Sequence, residues 1–201
     1  MPGPSAIASE LWGAVLVGGA SSRMGRSKAR LEHGGRSFTA IVAAALWPHV
    51  SGVVAVGAGE LPADAGPLPR LDDVPGIAGP LGGVLAALRH RPRCAWIVAA
   101  CDLPLLDDAA VGWLRSQRAP DRAAILPRLA ASGIEPLCGL YEPAALALLE
   151  ALAARGERAL QGLARESTVA TPSPPEALAR AWRNVNTPED LRELEEGNPS
   201  P

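Results

Sequence analysis

The sequence predicts an α/β fold, a three-layer, Rossmann-like arrangement around a mostly parallel sheet. Three observations predict it. Short apolar runs alternate with helical patterns along most of the 201 residues, the order that builds a parallel sheet covered by helices. The run Cys94-Ala95-Trp96-Ile97-Val98-Ala99-Ala100 is apolar on both faces, as a strand in the middle of such a sheet must be. A glycine-rich basic loop follows directly on the first apolar run, at the end of the sheet where open α/β folds hold their ligands.

The elements follow in order. Residues 1–10 read as a loose leader, 11–196 as a single domain and 197–201 as a tail. Ala14 to Val17 is the first strand. Thr39 to Trp47 has a helical pattern that Pro48 ends. Val53 to Val56 is a second strand. Residues 57–80, with Pro62, Pro67, Pro69, Pro75 and Pro80 among glycines, read as one long loop, of the kind that is usually functional or mobile. Leu81 to His90 is a helix with Pro80 in its first turn. Cys94 to Ala100 is the buried strand, and Asp107 to Gln117 is a helix with acids at its start. Ala123 to Leu126 and Leu137 to Tyr141 are further strands. Pro143 to Ala154 carries Leu146, Leu148, Leu149 and Leu152 on a partly apolar helical face. Arg158 to Arg165 reads as another helix, 171–178 as a proline-stiffened connector, and Pro188 to Glu196 as a last helix capped by Thr187.

Composition narrows the function. A hydrophobic content of 48% fits a soluble globular domain. A formal net charge of −2 gives no basic field for nucleic acid, and one Phe and one Tyr leave no platform for stacking bases. The three cysteines, Cys94, Cys101 and Cys138, are odd in number and form no C-x-x-C, so a reducing cytoplasm is the simplest location. No basic region precedes the first apolar run, as a signal peptide would need. No apolar run approaches the roughly 20 residues that span a bilayer.

Several motifs could carry chemistry. In Leu16-Val17-Gly18-Gly19-Ala20-Ser21-Ser22-Arg23-Met24-Gly25-Arg26-Ser27-Lys28, the Gly pair frees backbone amides to face anionic oxygens, and Arg23 and Lys28 add two cations. That set suits a triphosphate. The spacing is neither that of a Walker loop nor that of a dinucleotide fingerprint, and a plain glycine-rich turn is the competing explanation. Asp102 follows the buried strand on a turn fixed by Pro104, a good position for a Mg²⁺ ligand; the alternative is a cap for the helix near Asp107. Gly79-Pro80-Leu81-Gly82-Gly83 opens a helix. Its small residues either admit a flat base or sugar or simply pack a helix start. Asp72 could accept from a base edge or ribose, or be a solvated acid. Asn184 and Asn186 precede the Thr187 cap and could reach back to a ligand. Cys101 beside Asp102 is a poor nucleophile, and His33, His49 and His90 show no metal spacing.

Together these motifs resemble the molybdenum cofactor nucleotidyltransferases. The loop at 16–28 is similar to that family's signature L-x-G-G-x-S-x-R-M-G-x-x-K. Gly79-Pro80-Leu81-Gly82-Gly83, Cys101-Asp102-Leu103-Pro104 and Asn186-Thr187-Pro188-Glu189 recur in the same order, over about residues 12–195. Glu135-Pro136-Leu137-Cys138-Gly139-Leu140-Tyr141 is similar to the P-L-x-x-L-Y strand of the branch that transfers guanylyl groups. The Gly-His-Pro of the cytidylyl branch is absent there.

The resemblance implies a nucleotidyltransferase fold and transfer of GMP from GTP to molybdopterin, with Mg²⁺ as cofactor. It implies that Leu16, Val17, Gly18, Gly19 and Gly79 lie along the nucleotide, that Lys28 and Arg23 meet its phosphates, and that Asp72 contacts it. Asp102 would hold Mg²⁺, and Asn184 and Asn186 would line the same cleft. Val17 stands where Ala is common, and an Asn that often contacts the base falls near Gly57. A cofactor chaperone or a molybdoenzyme would be the protein partner. The alternatives are a sibling that uses CTP, or another NTP with a small phosphorylated acceptor, and a delivery protein without turnover.

Overall fold

In a computed structural model, residues 9–18 and 31–197 are described. In chain order these form β1 (Leu11–Leu16), β2 (Glu32–His33), β3 (Arg36–Ser37), α1 (Phe38–Leu46), β4 (Val53–Val56), β5 (Arg70–Leu71) and α2 (Pro80–His90). Then follow β6 (Ala95–Ala100), α3 (Asp108–Ser116), β7 (Ala124–Ile125), β8 (Arg128–Leu129), β9 (Gly133–Ile134), β10 (Gly139–Tyr141) and α4 (Ala145–Ala154). The chain ends in β11 (Val169–Ala170), α5 (Glu176–Ala179) and α6 (Pro188–Glu195).

Seven strands join in one sheet in the order β11-β7-β10-β6-β1-β4-β5. Every pairing is parallel except the two made by β10, so β10 alone runs against the others. β2–β3 and β8–β9 are separate small hairpins. The two-residue period of a strand then sorts the core into two halves. Val15, Ile97 and Ala99 pack with Val42 and Leu46 of α1, Val111 and Leu114 of α3, and Trp182. Leu16, Trp96 and Val98 pack on the other side with Val84 and Leu88 of α2 and Leu149 and Leu152 of α4. This is the three-layer α/β arrangement that the alternation of elements predicts.

The helices start where the sequence supplies caps. Ser37 accepts from the Ala40 N–H at 3.2 Å, and Asp107 from the Ala110 N–H at 2.9 Å. Thr187 and Asp190 form a reciprocal capping box for α6. The expected helix over 158–165 is instead a 3-10 helix, Leu160–Arg165. The long loop over 57–80 contains β5 and a short 3-10 turn, Ala63–Ala65. Ser9 and Glu10, at the end of the expected leader, are already fastened: the Ser9 hydroxyl donates to Glu142 at 2.7 Å, and the Glu10 carbonyl accepts from Ala95 at 2.8 Å.

Candidate active site

Chain order around β1 fixes where a ligand can sit. From β1 the chain moves outward to β4 and β5, then returns through α2 to β6 on the other flank of β1. α1 and α2 lie on opposite faces. Open α/β sheets hold ligands at this kind of reversal, beyond the carboxyl ends of the strands. Leu16 pairs with Ala100, so Gly18 and Asp102 stand level, each two residues past the last pair. The Cys101 N–H donates to the Leu16 carbonyl at 3.1 Å and keeps the two exits together.

Asp102 opens on a cleft of about 360 Å³ lined also by Pro80, Ala100, Glu135, Arg158, Gln161, Asn184 and Asn186. The structure therefore brings together Asp102 with Asn184 and Asn186, residues that the sequence singles out from two separate motifs. Asp102 Oδ1 is shut off from solvent. The N-cap of α3 is Asp107, so Asp102 is not needed for that task.

Glu135, Arg158 and Gln161 are additions that sequence reasoning did not place in the site. Burial raises the Glu135 carboxyl above its ordinary value; hydrogen bonds from Ser132 and Asn184 oppose this, and the nearby Asp102 charge adds to it. The backbone around Glu135 is held by buried donors. The Tyr141 hydroxyl donates to the Pro136 carbonyl at 2.9 Å, and the Trp182 indole N–H to the Cys138 carbonyl at 3.1 Å. The signal for Glu135 was its position just before a proline and a strand. Arg158 and Gln161 flank a 3-10 start that has no such signal.

At the end of β1 the nucleotide candidates divide. Leu16 and Val17 bury their side chains in the core, so only their backbone can meet a ligand. Beside Gly18 lies Asp73 rather than Asp72. A Cβ built on Gly18, Gly57 or Gly83 would stand 3.5, 3.3 or 3.3 Å from the Asp73 carboxylate. Partial burial raises the Asp73 carboxyl above its ordinary value, with the Asp72 charge contributing further. Asp72 and Asp73 are both exposed, and it is the Asp73 carboxylate that lies against the three glycines.

Gly82 and Gly83 are packing residues. A Cβ on Gly82 would overlap the Ile77 carbonyl, and one on Gly83 would stand 2.9 Å from Leu16 Cδ2. Gly79 caps α2 with φ of 80° and open space around it. Gly57 has φ of 103°, and a Cβ there would stand 3.0 Å from the Gly18 nitrogen. That crowding and the positive φ account for a glycine at this position. Gly19, Arg23 and Lys28 lie outside the described residues.

The donor set of the cleft fits Mg²⁺. Its lining offers carboxylate and amide oxygens and neither His nor Cys, which suits a hard cation with few protein ligands. Among the described residues no cluster of three or more His, Cys, Asp or Glu is built to cage a metal. No helix among them is long and apolar enough to cross a membrane.

Residues 13–170 match the MobA-like NTP transferase domain. The molybdenum cofactor guanylyltransferase of Rhizobium meliloti is 35% identical over 195 residues, which cover 90% of this chain and 88% of that protein. The probable molybdenum cofactor guanylyltransferase of Opitutus terrae is 38% identical over 92% of this chain and 95% of its own. The solved structure of molybdopterin-guanine dinucleotide biosynthesis protein A from Archaeoglobus fulgidus superposes with a TM-score of 0.75 at 26% identity, covering 92% and 97% of the two chains.

Proposed function

Because the chain belongs to the MobA-like NTP transferase family, we infer that it acts as a molybdenum cofactor guanylyltransferase, moving GMP from GTP onto molybdopterin. The observation that carries this reading is the level placement of Gly18 and Asp102 past two neighbouring strands. It sets a backbone edge that would meet a nucleotide beside a carboxylate that opens on the cleft.

In the reaction, an oxygen of the terminal phosphate of molybdopterin attacks the α-phosphorus of GTP. The new P–O bond forms as the bond to the β-phosphate oxygen breaks, and pyrophosphate leaves with the electron pair. The attacking phosphate is already ionised at neutral pH, so no protein base is required. What the protein must supply is alignment and neutralisation of charge.

Asp102 would hold Mg²⁺, with Asn184 and Asn186 beside it. Bound there, the cation supplies Lewis-acid stabilisation of charge on phosphate oxygens. Lys28 and Arg23 would meet the leaving pyrophosphate, and the backbone of Leu16, Val17, Gly18 and Gly19, with Gly79, would run along the nucleotide. Asp73, beside Gly18, would reach the nucleotide, with the Asp72 charge next to it. Arg158, which lines the cleft, would bring a cation to the acceptor. The reaction belongs in the cytoplasm, where a chaperone or a molybdoenzyme would receive the product.

The test is pyrophosphate release by the purified protein with Mg²⁺, molybdenum-loaded molybdopterin and, separately, GTP, CTP, ATP or UTP. Release with GTP alone is expected. Release with CTP alone would move the chain to the cytidylyl branch, and binding without release would make it a delivery protein.

A further inference from the structure

The loop after β4 has no long side chain to offer a ligand at its turn. Gly57, Ala58 and Gly59 present backbone, and that backbone is fastened from outside. Arg70, exposed on the edge strand β5, donates from one guanidinium nitrogen to the Gly57 carbonyl. It donates from the other to the Gly59 carbonyl at 2.8 Å. A charged fork that bonds two carbonyls of one loop restrains both peptide planes at once.

Those planes lie on the nucleotide end of β1. A Cβ on Gly57 would stand 3.0 Å from the Gly18 nitrogen, and one on Gly59 would overlap the Val17 carbonyl oxygen. The Ala58 nitrogen is 3.9 Å from the place a Gly18 Cβ would occupy. In a planar trans peptide the N–H points opposite to the carbonyl before it. Because the Gly57 carbonyl turns to Arg70, the Ala58 N–H turns away from Arg70. The Asp73 carboxylate borders the same wall.

We propose that Arg70 is a positioning residue for nucleotide binding, which holds the Gly57–Gly59 backbone in the orientation that meets GTP. It touches no substrate. The inference rests on the guanylyltransferase reading and assigns to an edge-strand side chain a part in nucleotide affinity. Arg70 lies away from the acceptor cleft and outside its lining, so its loss should act on GTP and spare the acceptor.

The experiment compares wild type, Arg70→Ala, Arg70→Lys and Arg70→Gln by direct titration with GTP and by pyrophosphate-release kinetics. Arg70→Ala, which loses both bonds, is expected to weaken GTP binding and raise its KM about tenfold. Its kcat should stay within about twofold and its KM for molybdopterin should not move, because binding rather than chemistry is lost. Lys, which keeps one bond, should fall between, and it carries the comparison with Gln if the Ala variant does not fold. Unchanged GTP affinity in every variant, or a lower kcat at unchanged KM, overturns the proposal. Wild type that binds GTP but transfers nothing overturns the transfer reading and leaves the Arg70 comparison standing. Wild type that binds no GTP overturns both.

Discussion

The Val185 backbone N–H donates to the Asp102 carbonyl at 3.0 Å. This bond fastens the turn after β6 to the segment before α6. Val185 is fully buried, in a small core with Leu31, Phe38 and Leu194. Asn184 and Asn186 flank it, and both line the cleft that Asp102 opens on. One buried apolar side chain and one backbone bond thus set two amides beside a carboxylate.

Asp102→Ala should lose transfer while the fold survives. A charge-site deletion of this type costs about 3–4 kcal/mol, or a few hundredfold in rate. Lys28→Ala should behave alike. Pyrophosphate release alongside circular dichroism checks both, and near-normal turnover by Asp102→Ala would remove Asp102 from the metal role.

Glu135→Ala removes the partner that Asn184 bonds. Its kcat/KM should fall about tenfold, the value of one hydrogen bond to a charged group. Thermal unfolding should change little, since Tyr141 and Trp182 still hold the neighbouring backbone. If the Asn184→Ala and Glu135→Ala losses simply add in the double variant, the two residues do not act as a unit.

Asp73→Asn and Asp72→Asn should differ. A carboxyl whose folded value lies above its unfolded one of about 3.8 weakens the fold once the pH exceeds that value. Removing the charge at position 73 should therefore raise the midpoint of melting, by less than the ~2–4 °C that 1 kcal/mol gives in a chain of this size. The same change should raise KM for GTP. Asp72→Asn should leave KM nearly unchanged; a larger effect there than at 73 would reverse the assignment.

Asp190 predicts acid sensitivity of α6. Burial would raise its carboxyl, but the N–H groups of Asn186, at 2.7 Å, and Thr187, at 2.8 Å, outweigh it and hold it below its ordinary value of 3.8. A depressed carboxyl stabilises the fold above its unfolded value, and this is lost as pH falls through the lower, folded value. Melting followed downward from just above pH 3.8 should be less steep in Asp190→Ala than in wild type. At neutral pH that variant should lose about 1 kcal/mol, the worth of a cap.

The sequence made the central strands legible because they are long and apolar. β4 lies where the pattern puts it, and β6 begins one residue later than its apolar run. β5 and β11 have two residues each, too short for any period to show, and β5 is hidden among prolines. Asp102, Asn184 and Asn186 were legible from turn and cap chemistry. The choice between Asp72 and Asp73 was not, because adjacent acids differ only in which way the backbone aims them. Glu135 needed the third dimension: its neighbours in the cleft come from residues 102 and 184.

The reversed strand β10 has a consequence for how such a molecule can diversify. Its neighbours deliver their ends to the ligand rim, whereas β10 begins there, so the stretch that leads into it visits the rim a second time. That stretch, with Glu135, Pro136 and Leu137, lines the cleft beside Asp102 and is reached through the β8–β9 hairpin. The opposite flank of the rim is built from β1, β4 and β5. The hairpin can thus be lengthened, shortened or exchanged without disturbing a single pairing on that flank. The two flanks of the rim are separately variable parts of one sheet.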